Sequence, residues 1–384
     1  MNTCLLPWSH MFYHSDGNVY PCCKLAGNND FNLGKTTDDV NALWNSDKLK
    51  QLRLSFIKNT PTKECINHCF KGIQPLHIFV PDEIQDQKDI FFNNTSSDGH
   101  FEENFIIWNI NESNLCNFKC SYCNLNYSSL FSKSSKILKS FNTVEEQLNL
   151  FKQYCHKIKS IIFASGESAF QPGYIDMLMH LKNEKILDID INFITNFSVL
   201  KYKSINILDL LSNFKKVTLI ASLDAFGAHA EYIRYGTKWS QIEQNRQELL
   251  NYPKINFLCQ SVISNLNIFH LPDFHYNWFN KGYLNKDNVR YYMLSSPLKF
   301  MVNEVPVHYK EKINTKLLHY LKFLEDCSSE TANCMTPYQK VKKIMLSLNK
   351  PNKLSIDSFY NTLNDLDMDN NINHRPLYKE LYEI

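Results

Sequence analysis

The sequence predicts an α/β fold built from six strand–helix repeats over residues 104–298. Three observations carry that prediction. From residue 104 onward, short apolar runs alternate with stretches of helical period, the pattern of parallel strands joined by right-handed helical crossovers. Polar and glycine-containing motifs fall where the strands end, which is where such folds gather their reactive residues. Before the repeats, five cysteines crowd the first 70 residues, a stretch with poor periodicity and too thin a core to stand without a metal.

The chain has 384 residues, more than one compact domain usually holds, and its pattern divides it into four parts. Residues 1–75 form a small cysteine-rich module, 76–103 a connector, 104–298 the α/β core and 299–384 a helical, more polar extension. Hydrophobic residues make up 43% and charged residues 21%, so the chain reads as globular rather than disordered. A net charge of +2 supplies no basic field, which argues against nucleic acid or an anionic membrane as a partner. Met1–Leu6 is apolar but too short for a signal or a span, and Pro7, Ser9 and His10 interrupt it. A cytoplasmic location is therefore expected. In that compartment twelve cysteines point to metal or redox chemistry before disulfides.

The elements follow in order. Asp16-Gly17 in HSDGN reads as a hairpin turn, and a helix is expected over Val40–Phe56. The connector ends in the turn-rich NNTSSDGH. The core opens with a strand at Ile106–Ile110. Thr143 then starts a helix with Glu146 completing a capping box, and Val144, Leu148, Phe151, Cys155 and Ile158 share one face. Further strands are expected at Ser160–Ala164, Ile189–Thr195, Val217–Leu223, Asn256–Ile263 and Val289–Leu294. Helices near Tyr174–Leu181, Ile205–Phe214, Trp239–Leu250 and Leu271–Phe279 separate them. The C-terminal helices break at LNKPNKL.

After the first core strand the chain reads NESNLCNFKCSYCNLN, with Cys116, Cys120 and Cys123 spaced Cx3Cx2C. Three thiolates on one loop hold three irons of a 4Fe–4S cube and leave the fourth open to a substrate or cofactor. A structural zinc site wants four ligands, usually as paired cysteines, and no histidine stands at zinc-finger spacing nearby. This spacing, after the first strand of a six-repeat α/β domain, resembles the radical S-adenosylmethionine (SAM) superfamily over roughly residues 104–298. Tyr122 sits where that family usually has an aromatic residue near the adenine.

The resemblance implies a partial (β/α)6 TIM-like barrel and carries over several further residues. Gly166 and Glu167 in ASGES resemble the family's GGEP motif, which contacts the SAM amino group; Ser165 and Ser168 depart from it. Asn196 after ITN, and Ser222 and Asp224 in SLDAFG, resemble the strand-end groups that hold the ribose and methionine parts of SAM. Arg234 in EYIRYG resembles the arginine that pairs with the SAM carboxylate, whose geometry a guanidinium fork matches. Val262 is a candidate to pack on the adenine. Taken singly these have plainer readings: an ordinary strand-to-helix loop for SGE, a surface ion pair for Arg234, a core valine for Val262.

The N-terminal reading CLLPWSHMFYHSDGNVYPCC resembles the Cx9–15Gx4C opening of the SPASM and twitch auxiliary-cluster modules, through Cys4, Gly17 and Cys22. With Cys65 and Cys69 from CINHC, four thiolates would saturate a second 4Fe–4S cluster. Two departures stand out. In most relatives the module follows the core rather than preceding it, and Cys23 is an unassigned neighbour able to replace Cys22. Four cysteines suit zinc equally well.

Cys155 and Cys259 read as small core residues. Cys327 and Cys334 flank SSETAN and are either idle or donors of a hydrogen atom to a substrate radical, as some family members require. The resemblance implies an enzyme that reductively cleaves SAM to a 5′-deoxyadenosyl radical and abstracts a substrate hydrogen. It also implies a flavodoxin or ferredoxin as reductant. Relatives with SPASM or twitch modules often modify ribosomally made peptides by crosslinking, epimerisation or oxidation, which makes a peptide the expected substrate. Others oxidise small aminocyclitols or sugars, the alternative. Two readings of another class are a non-catalytic iron–sulfur electron-transfer protein and a zinc-stapled binding module. The ordered set Cx3Cx2C, SGES, SLD and IRYG argues against both.

Overall fold

The computed structural model describes residues 4–70, 84, 86–132, 137–285, 287–326 and 336–383. Strands β1 (His10–Tyr13), β2 (Asn18–Tyr20) and β3 (Gly34–Lys35) come from the cysteine-rich region. They are followed by β4 (Ile107–Ile110), β5 (Lys119–Cys120), β6 (Ser160–Phe163) and β7 (Asp190–Thr195). After these come β8 (Lys201–Tyr202), β9 (Ile205–Asn206), β10 (Lys216–Ser222), β11 (Arg234–Tyr235), β12 (Ile255–Ile263) and β13 (Val289–Met293). A nine-stranded sheet runs in the order β13-β12-β10-β7-β6-β4-β1-β2-β3. From β4 to β13 its neighbours are all parallel, giving an incomplete (β/α)6 barrel.

The strands form where the chain offers apolar, β-branched or aromatic runs between turns. β4 and β6 are mostly apolar and buried at every position, whereas burial alternates along β7. The helices Val144–Tyr154, Pro172–Asn183, Trp239–Leu249 and Leu271–Asn280 lie between them. One expected helix is shorter. Residues 201–206 make the small β8–β9 hairpin, and the helix runs only from Ile207 to Leu211, capped by the Asn206 side chain. At Thr143 the cap is present, its hydroxyl accepting from the Glu146 amide, but the Glu146 carboxylate returns to the Asn142 amide instead. The buried face of that helix includes Gln147, because its amide donates to the Glu112 carboxylate. Helices Val307–Asp326, Pro337–Leu348 and Ile356–Asn370 make up the C-terminal extension. No helix among the described residues is long and apolar enough to cross a membrane.

The cysteine-rich region joins the core sheet directly. Strand β1 pairs parallel with β4, His10 opposite Ile107 through Tyr13 opposite Ile110. Across this seam the Tyr13 and Trp108 rings stack at 4.8 Å, and Phe105 and Phe151 pack on Trp108. The β1–β2 turn falls at Asp16-Gly17 as expected. Gly17 has φ +79°, a conformation that strains side chains, and the Asp16 carboxylate accepts from the Asn18 amide. The helix expected over Val40–Phe56 breaks into Val40–Trp44 and Asp47–Ile57. Arg53 causes the break: fully buried, it donates to the carbonyls of Trp44, Pro7 and Gly99 and to Asn45 Oδ1.

At the C-terminal end of β4, Glu112 anchors two helices to the sheet. It accepts from Gln147 Nε2 and from the Gly173 amide. Burial pushes its carboxyl up to about 7 despite those donors. A folded-state value above the unfolded 4.5 favours the protonated form on folding. Its stabilising contribution is therefore full below the unfolded value and is lost as the pH rises to about 7. Glu112→Gln keeps the acceptor and removes the titration. In urea unfolding it is expected to lose this part of the pH dependence and to exceed the wild type at pH 8. An unchanged slope would contradict the assignment.

Candidate functional site

The cysteine triplet occupies the loop that leaves β4. Asn114, fully buried, clamps both ends of that loop, donating to the Leu125 carbonyl and accepting from the Leu138 amide. Short strands β5 and β11 then pair antiparallel, so that Arg234 stands directly opposite Cys120. The Ser121 amide and hydroxyl both donate to the Ile233 carbonyl and close the same junction. In this way the sulfur loop and the arginine are set in register by backbone hydrogen bonds.

Cys116, Cys120 and Cys123 line one cavity of about 490 Å³. Tyr122, Gly166, Asn196, Ser222, Arg234 and Val262 line it too, so loops and strand ends far apart in sequence meet there. Burial pushes the Cys116 thiol up to about 11 and the Cys123 thiol up to about 12. Burial also raises Cys120, with Arg234 working in the opposite direction. At neutral pH these thiols are protonated until a metal displaces the protons.

Gly166 is required by close approach. A Cβ there would lie 2.6 Å from the Asn114 and Leu115 carbonyl oxygens. Its amide donates to Ser113 and the next amide, of Glu167, to Leu115, so the SGES loop is laced to the cysteine loop. Neither Glu167 nor Asp224 is among the residues that line the cavity; each stands directly behind its wall, bonded to residues that do. The buried Glu167 carboxylate accepts from Thr195 Oγ1 at 2.5 Å and from the Asn196 amide at 2.6 Å, and fixes the end of β7. Asp224, fully buried, accepts from the Val262 amide through one oxygen. Through the other it accepts from Arg234 Nη1 at 3.0 Å and from the Tyr122 hydroxyl. Both carboxylates thus tie the strand ends to neighbouring segments through protein donors.

Burial alone would lower the Arg234 pKa; its anionic surroundings, with Asp224 at 3.0 Å, more than reverse that and hold it charged. Its Nε is buried without a partner, and so is Oε1 of Gln260, another residue of the cavity wall. A buried donor and acceptor cost free energy unless a bound group satisfies them. The wall thus suits a guest that carries both an anionic and a hydrogen-bonding part, as SAM does. Among the described residues no three His, Cys, Asp or Glu side chains gather closely enough to hold a single metal ion.

Cys4 is within electrostatic reach of Cys22, Cys65 and Cys69, and Cys69 of Cys22 and Cys65 as well. Burial raises the Cys4 thiol to about 12, with Cys69 and Cys65 adding to it. Burial likewise raises Cys22, helped by Cys23, Cys4 and Cys69. Cys23 itself is exposed. Tyr127, which lines the cavity, is acted on by both Cys23 and Cys123, so the two cysteine sets adjoin. Cys155 and Cys259 are fully buried in the core. Cys327 and Cys334 lie outside the described residues. Sequence reasoning missed Lys24, Thr195, Gln260 and Tyr292 in the cavity wall. Three of them stand on the C-terminal halves of β7, β12 and β13, a signal available from the strand pattern.

Residues 110–255 match the radical SAM superfamily, and residues 4–70 match an iron–sulfur cluster-binding domain, SPASM. Among solved structures, the chain is similar to native anSMEcpe with bound AdoMet and Cp18Cys peptide. The identity is 18%, over 57% of this chain and 59% of that one, with a TM-score of 0.42. It is also similar to SuiB of Streptococcus suis bound to precursor peptide SuiA, at 16% identity over 57% and 47%, with a TM-score of 0.37. The chain thus spans about three fifths of the first and about half of the second. No curated protein sequence matches it.

We propose that Cys22, buried beside Cys4 and Cys69, and not the exposed Cys23, belongs to the second set. After anaerobic reconstitution, Cys22→Ala is expected to lose about four irons per chain, one cluster's worth, while Cys23→Ala keeps them. Iron and sulfide assays decide the matter; equal loss in both variants would contradict the assignment.

Proposed function

We propose that this chain, whose residues 110–255 match the radical SAM superfamily and 4–70 the SPASM cluster-binding domain, is an enzyme that cleaves SAM reductively and removes a hydrogen from a ribosomally made peptide. The observation that carries the reading is the shared cavity. Three thiols of one loop and an arginine with an unpartnered buried Nε line the same space.

Cys116, Cys120 and Cys123 would hold the cluster that binds SAM, and Cys4, Cys22, Cys65 and Cys69 a second one. When bound, the cluster and SAM supply one-electron cleavage and hydrogen abstraction. The chain's own residues bind and orient. Arg234, kept charged by Asp224, offers its remaining donors to a carboxylate. Tyr122 is held by its hydroxyl on Asp224, which fixes its ring in the cavity wall. Asn196 is oriented from both sides, donating to Asn117 Oδ1 and accepting from Ser198. Phe118, Ile194, Met293 and Leu294 add apolar wall that limits water.

A peptide is favoured over a small metabolite by the SPASM domain, since relatives with that module often modify peptides, and by the mouth of the cavity. Lys24, Ser295 and Ser296 are exposed there and offer polar groups to a chain entering from solvent. The test incubates the cluster-loaded protein, SAM and dithionite with short peptides encoded beside its gene. A mass change of one or two hydrogens is expected. No change in any peptide, with turnover of a small polyol instead, would overturn the substrate class.

A further inference from the structure

The cavity wall has an unbalanced charge. Among the described residues its charged side chains are Lys24 and Arg234, and no aspartate or glutamate lines it. The two cations differ in their commitments. Arg234 is mostly buried and already bonded to Asp224 and Tyr122. Lys24 is exposed and has no carboxylate partner among the described residues. Its Nζ lies 6.0 Å from the centroid of the Tyr292 ring, on the end of β13, at the outer range of a cation–π contact. Beyond that ring the exposed Ser295 and Ser296 add hydroxyl donors to the same wall.

Lys24 is also held in place. It follows Cys22 and Cys23 in a turn closed by the Leu25 amide on the Cys22 carbonyl, and His10 Nδ1 bonds the Pro21 carbonyl just before it. The backbone is thus tied to the second cysteine set while the ammonium reaches the cavity of the first. A cation on a fixed turn, facing hydroxyl donors and no acid, recognises an anionic group. The net charge of +2 is too small for a general field, so the preference is local.

We propose that Lys24 is the specificity residue of this enzyme, selecting substrates that carry a carboxylate close to the bond being altered. The inference rests on the radical SAM reading above and names the substrate chemistry of the same site. The carboxylate belongs to an acidic side chain of a peptide or to a free small acid.

The test uses the full chain with clusters loaded, SAM and dithionite. Two pools of ten-residue peptides are offered, alike except that one carries Asp and Glu where the other carries Asn and Gln. A third arm offers free dicarboxylic acids, which separates the two sources. Products are read by mass, and 5′-deoxyadenosine and iron per chain are read alongside. Conversion is expected in an acid arm and not in the amide pool. The preference should fall about tenfold in Lys24→Gln, as for loss of a charged hydrogen bond, return in Lys24→Arg and vanish in Lys24→Glu. The acid-over-amide preference is taken as a ratio within each variant, at matched iron per chain, so a change in SAM cleavage common to both pools does not alter it. Equal conversion of acid and amide pools, an undiminished preference in Lys24→Glu, or 5′-deoxyadenosine without product in any arm would each overturn the proposal and leave SAM cleavage standing. Absence of 5′-deoxyadenosine from the wild type would instead overturn the reading on which it rests.

Discussion

The buried pair of Asp224 and Arg234 holds the site together. Asp224 has no exposure, and every oxygen contact it makes reaches a different segment. It takes Arg234 from β11, Tyr122 from the cysteine loop and the Val262 amide from β12, while sitting itself just past the end of β10. A buried ion pair offsets its desolvation only when hydrogen bonds fill the remaining valences, as they do on this aspartate. Removing either partner strands a charge in the interior. The geometry of the three thiols, the aromatic ring and the guanidinium therefore depends on one carboxylate that does not itself line the cavity.

A second constraint is the shared sheet. Parallel pairing of β1 with β4 needs a long crossover, and residues 14–106 provide it, carrying Cys22, Cys65 and Cys69 on the way. The cysteine-rich region is therefore fused to the core by backbone hydrogen bonds and by the Tyr13–Trp108 stack. Arg53 gathers its loops from inside, bonding carbonyls at Pro7, Trp44 and Gly99. The outcome is that the turn after Cys22 supplies Lys24 to the cavity, and that Tyr127 is within electrostatic reach of both Cys23 and Cys123. Placing the module before the core does not separate the two cysteine sets.

Much of this was legible in the sequence because it is local. Apolar runs between turn residues mark β4, β6, β7, β10, β12 and β13 to within about a residue, and Asp16-Gly17 marks its hairpin. The spacing of Cys116, Cys120 and Cys123 marks the loop. What escaped depends on contacts between distant segments. Nothing near Val40–Phe56 announces that Arg53 will fold back and break the helix at Asn45. A polar residue at a strand end can face the cavity or lie behind it; Asn196 does the first, Glu167 and Asp224 the second. The choice is made by donors on other strands. Lys24 and the wall from Tyr292 to Ser296 escaped for the same reason, since only the assembled sheet brings them to the cysteine loop.

The account turns on whether the cavity of Cys116, Cys120, Cys123 and Arg234 handles SAM. The direct measurement is 5′-deoxyadenosine formed from SAM by the anaerobically reconstituted, dithionite-reduced protein, with Arg234→Met alongside to remove the fork while keeping the bulk. The account predicts product from the wild type, with about eight irons per chain for two clusters, and a large loss of product in the variant. A colourless wild type that contains zinc and forms no 5′-deoxyadenosine would contradict it.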